Sequence, residues 1–114
     1  MQQFSERRRC PRVNTSLPLR FKKLYGDTYV DKNTVTKNLS PNGVRLKSDY
    51  PVGLNSRLFI EINLPTTPKP VRALSRVVWI KKLLADNNYE LGNEFLSIKE
   101  EDAVIVSDYI KNSI

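Results

Sequence analysis

Residues 57–64 read RLFIEINL, and Leu58, Ile60, Ile62 and Leu64 fall at strictly alternate positions. Successive side chains of a strand point to opposite faces, so this spacing predicts a strand with one buried face. A looser form of the signal recurs along most of the chain. Leu17, Leu19 and Phe21 predict a strand over 17–21. Residues 29–39 are rich in β-branched types and predict a second, irregular near Asp31. Val44 and Leu46 mark a short third, and residues 71–83 and 89–96 give two more. Turn chemistry separates these runs: Gly26-Asp27, Ser40-Pro41-Asn42-Gly43, Pro51 with Gly53, the prolines at 65, 68 and 70, and Asp86-Asn87-Asn88. In Ser40-Pro41-Asn42-Gly43 each residue suits its place in a type I turn. Strands joined through short turns argue for an antiparallel sheet or barrel.

The period changes at the end. Ser97 and Glu100 have capping-box spacing, and Ala103, Val106, Ile110 and Ile114 share one helical face. Glu100, Glu101 and Asp102 lie where the helix dipole favours negative charge. A helix is expected over about 98–112. A length of 114 residues suits one domain. The expected fold is mainly β, a small antiparallel barrel of six or so strands that closes its own edges, with one helix packed on it. It would occupy residues 15–114, behind a mobile basic segment at 1–14.

Charge is uneven. Residues 1–23 hold seven Lys or Arg against one acid, whereas residues 99–114 hold two against four. The net charge of +7 therefore concentrates at the N-terminus and predicts an anionic partner that meets that end. There is no histidine and only one cysteine, Cys10. That argues against a metal centre, a histidine-based triad and an internal disulfide, and favours a reducing cytoplasm. No apolar run approaches the ~20 residues of a membrane-spanning helix. MQQFSERRRC lacks the apolar core of a secretory signal. The acidic residues show no paired-carboxylate spacing, so no enzyme is expected.

Two stretches stand out together. Arg8-Arg9-Cys10-Pro11-Arg12 is an R-x-x-x-R pattern, and Asn38-Leu39-Ser40-Pro41-Asn42-Gly43 is an N-x-S-x-x-G pattern that begins 26 residues after Arg12. In this order, with these flanking strands, the pair resembles the PilZ domain family. ALSRVVWIKK at 73–82 is similar to the family's central strand, and YELGNEFL at 89–96 to its closing Gly-x-x-Phe strand. The resemblance covers nearly the whole chain.

The resemblance implies a six-stranded antiparallel PilZ-type β-barrel that binds cyclic di-GMP, a bacterial second messenger. Guanidinium chemistry suits that ligand: arginine pairs bidentately with guanine or phosphate and stacks on a base. Arg8 and Arg12 would grip guanine and phosphate, Asn38 and Ser40 would offer fixed polar groups, and Gly43 would permit close approach. Arg7, directly before the first motif, implies two stacked ligands per chain, with Arg7 on the second. The arginine segment would order on binding and relay the signal to a downstream protein effector. Two alternatives differ in class. A ligand-independent PilZ-like adaptor would lack the arginines, and a small nucleic-acid-binding barrel would interleave aromatics with its basic residues. Taken alone, the arginine run reads as a solvated tail. Trp79 and Phe95 read as core or barrel-rim residues.

Overall fold

The computed structural model describes residues 11–25 and 28–113, with backbone alone for Leu24, Tyr25 and Thr28. Arg7, Arg8, Cys10, the Gly26-Asp27 turn and Ile114 lie outside the described residues. The elements are β1 (Val13–Asn14), β2 (Pro18–Tyr25), β3 (Thr28–Ser40), β4 (Gly43–Ser48), β5 (Arg57–Ile62), β6 (Val71–Lys82), β7 (Tyr89–Ile98) and the helix α1 (Glu100–Ser113).

All pairings are antiparallel. They run β3-β2-β5-β6-β7-β4, and β4 pairs back to β3, so six strands close a barrel. β1 is an additional two-residue strand on the β2 side of β3. The boundary expected after residue 14 falls within a continuous run of pairing, because Asn14 opposes Asn38 and the Thr15 amide donates to the Lys37 carbonyl at 3.0 Å.

The core is the barrel interior. Leu19, Phe21, Leu39, Leu46, Leu58, Ile60 and Leu91 are among its fully enclosed side chains. Phe21 is 0% exposed, and truncating such a ring to alanine typically costs about 3–5 kcal/mol. Polar groups inside are paired: the Ser75 hydroxyl lies 3.1 Å from Asn93 Oδ1, and Asn93 Nδ2 donates to the Leu91 carbonyl. On the outer surface Arg20 donates twice to Asp31, at 2.8 and 2.6 Å. That pairing holds the Asp31 carboxyl below its ordinary range and the guanidinium above its own.

The helix packs Val106 and Ile110 inward, each 1% exposed, and lies against β3 and β6. Its start differs from the capping box expected at Ser97. Ser97 remains in β7, held opposite Leu74, and the first helical bond runs from the Ala103 amide to the Lys99 carbonyl at 2.9 Å. Ladder pairing through Ile98 keeps the backbone extended past Ser97, so Lys99 occupies the capping position. Asp102 instead ties the first turn to the barrel, accepting from the Arg72 amide at 3.2 Å.

Candidate functional site

Two register shifts prepare one patch of the outer wall. In the β3–β4 ladder Thr36 opposes Leu46 and the next paired residue is Asn38, opposite Arg45. Lys37 is the extra residue of a bulge. Thr36 and Leu46 face the core, at 0% exposure each, so the bulge turns Asn38 from the core face to the outer face. The same device acts in β6–β7. Val77 faces the core opposite Asn93, Val78 is extra, and Trp79 turns outward opposite Gly92.

The consequence is a pair of cross-strand rows. One runs Asn38, Arg45, Gly92, Trp79. The other runs Ser40, Gly43, Glu94, Arg76. Each row carries a glycine, and the two rows line a trough. It is a cleft of about 160 Å3 whose lining includes Arg12, Asn38, Ser40, Gly43, Arg45 and Trp79.

Both glycines are required by contact. A Cβ on Gly43 would stand 2.1 Å from the Asn93 carbonyl oxygen, and one on Gly92 would stand 2.2 Å from Trp79 Cε2 and Nε1. Gly43 is not in the left-handed region, so its role is the close approach of β4 to β7. The turn before it is a two-residue loop, Pro41-Asn42, between paired Ser40 and Gly43. Neither loop residue has positive φ, which excludes the mirror-image hairpin turns. The Ser40 hydroxyl braces the loop, accepting from the Asn42 amide and donating to the Gly43 carbonyl, both at 3.3 Å.

The cleft is charged at its margins. Arg12 is exposed beside β1. Arg76 Nε donates to Glu94 at 3.1 Å. Of the sequence-predicted residues, Arg12, Asn38, Ser40 and Gly43 come together here, while Arg7 and Arg8 lie outside the described residues. A larger groove of about 530 Å3, lined by Phe59, Leu74 and Lys22 among others, contains none of the motif residues. Arg45 was not singled out from sequence, and Gly92 stood out only as the glycine of the Gly-x-x-Phe strand. Trp79, expected in the core or at the barrel rim, lies instead on the outer wall, 37% exposed.

The PilZ domain model matches residues 6–112. The chain belongs to the PilZ domain family. Among solved structures, this PilZ domain is similar to the Bacillus subtilis inhibitor of motility MotI/DgrA, with TM-score 0.77 and 16% identity over 99% of this chain and 51% of that one. It is also similar to Escherichia coli YcgR in complex with c-di-GMP, with TM-score 0.72 and 17% identity over 94% of this chain and 46% of that one. Against the PilZ domain of YcgR with c-di-GMP, TM-score is 0.69 and identity 18%, over 93% of this chain and 90% of that one. The chain thus spans about half the length of MotI/DgrA and of the longer YcgR structure. No curated protein sequence matches it. Among the described residues, no helix is long and apolar enough to cross a membrane.

Proposed function

We propose that the cleft binds cyclic di-GMP and that this domain is a receptor which senses the ligand without turning it over. One observation carries the reading. Arg12 from the first motif and Asn38, Ser40 and Gly43 from the second, far apart in sequence, line one cleft. The YcgR structures, which hold c-di-GMP on the same fold, support it.

Arg8 and Arg12 grip guanine and phosphate through planar, charge-assisted hydrogen bonds. Asn38 and Ser40 present polar groups from a rigid strand, and Gly43 draws β4 against β7 to set the floor of the cleft. At about 160 Å3 the trough is smaller than the ~300–1,000 Å3 of an enclosing ligand pocket. A dinucleotide therefore lies partly over it and needs a cover. The segment carrying Arg7 and Arg8 leads directly into β1 at the cleft's edge, and it supplies that cover. Its ordering over the ligand presents a new surface to a downstream protein effector. Arg7 neutralises and stacks on a second, intercalated ligand, giving two per chain.

Calorimetric titration with cyclic di-GMP, with GTP and single-stranded DNA as controls, tests this. Binding is expected for the cyclic dinucleotide alone, at two per chain, falling to one in Arg7→Leu. The double variant Arg8→Ala/Arg12→Ala should lose about 1–3 kcal/mol or more. Unchanged affinity in that variant would sink the reading, and a ratio near one in the wild type would remove the second ligand.

A further inference from the structure

The outer face of β5 is not uniformly polar. Arg57 and Glu61 carry charge there, but Phe59 between them is apolar and 62% exposed. Register extends the anomaly across four strands, because Lys22, Phe59, Leu74 and Ser97 form one cross-strand row. A further register shift leaves Leu96 as an extra residue of β7 next to this row, exposed to solvent. Phe59 and Leu74 line the groove of about 530 Å3, with Lys22 and Lys99 also in its lining. The nearby acids are already bound: Glu61 accepts from Arg72 at 2.9 Å and Glu94 from Arg76 at 3.1 Å. Among the described residues, neither Arg57 nor Lys99 is in an ion pair. An apolar strip is thus left with surplus positive charge around it.

The complement is on the same chain. Glu100, Glu101, Val104 and Asp108 share one stripe of α1, on the side away from the buried Val106 and Ile110. Val104 is 53% exposed in the middle of this stripe, with carboxylates on either side. A helix with its side chains is about 10–12 Å across, and the four strands of the row span about 14 Å, so one helix fits. It is not the chain's own helix, whose buried face holds it against β3 and β6. Yet Ser97, Ile98 and Lys99 line the groove and α1 begins at Glu100, so groove and helix adjoin in every copy.

We propose that two copies of this chain associate by laying the outer stripe of each α1 into the groove of the other. Adjoining donor and acceptor surfaces make the contact self-complementary, as a two-fold arrangement requires. Val104 covers Phe59 and Leu74, and the helix carboxylates meet the cations around them. Such charge complementarity sets partner choice and makes association weaken with salt. None of the motif residues lines this groove, so the inference does not depend on what the cleft binds.

Sedimentation of the full chain without nucleotide tests it, over a wide concentration range at low and high salt. A monomer–dimer equilibrium is expected, weaker at high salt. Phe59→Ser should weaken it about tenfold or more, as loss of a central apolar anchor does. Two charge variants provide the decisive arm. Arg57→Glu/Lys99→Glu makes the groove acidic, and Glu101→Lys/Asp108→Lys makes the helix basic. Each variant alone should be monomeric, since groove and helix then repel. Mixed together they should form a heterodimer, because both exchanged contacts regain opposite charge. All these positions are exposed, and circular dichroism checks folding; should Phe59→Ser fail to fold, the charge variants decide. A wild type that stays monomeric throughout would overturn the proposal and leave the groove to a different acidic partner. A dimer of undiminished strength in Phe59→Ser or in either charge variant alone would overturn it in favour of another surface.

Discussion

At Gly43 the decisive neighbour is the Asn93 carbonyl oxygen, 2.1 Å from where a Cβ would sit. Carbonyl and strand cannot both keep their places around a methyl group. Gly43→Ala is therefore expected to destabilise the protein by about 1–3 kcal/mol, the usual range for overpacking, in urea unfolding without ligand. An unchanged midpoint would mean that β4 and β7 separate freely and that the glycine serves only the turn. The position was legible in the sequence because Ser40-Pro41-Asn42-Gly43 is a turn by its chemistry. The physical reason was not, since it lies in a strand that begins almost fifty residues later. Arg45 was illegible for a related cause. Nothing local separates it from Arg57 or Arg76; only register places it between Asn38 and Gly92.

Among the elements, β5 kept its clear signal because its ladders with β2 and β6 contain no shift. β3 and β6 carry bulges, and a bulge breaks the period of two. The irregularity expected near Asp31 is not there: β2 and β3 pair without a break from Pro18–Val35 to Tyr25–Thr28, with Arg20 bound to Asp31. It falls between Thr36 and Asn38 instead, where it turns a site residue outward. The helix was legible in its buried face, Val106 and Ile110, but not in its cap, because β7 extends through Ser97. β1 was missed since two residues carry no periodicity. Its pairing sets where the proposed cover hinges, just after Arg12. Amide exchange across Arg8 to Val13 is expected to slow when cyclic di-GMP is added. Full protection of those amides in the free protein would replace the ordering cover with a preformed one.

For the whole molecule, short turns between successive strands indicated an antiparallel barrel, but the closure rests on pairings between strands distant in sequence. β2 joins β5, and β4 joins β7, across intervening elements. The β1–β3 pairing brings the second motif beside Arg12, and the β4–β7 and β6–β7 pairings put Trp79 at the far end of the same trough. The barrel also offers a competing location, the larger groove at Phe59 and Leu74 on the β2–β5–β6–β7 side. Ligand location is thus the central claim, and amide chemical-shift mapping during titration with cyclic di-GMP reads it directly. The largest shifts are expected at Arg12, Asn38, Ser40, Gly43 and Gly92, with Phe59 and Leu74 near their free positions. Shifts centred on Phe59 and Leu74, with the motif amides unmoved, would contradict the account.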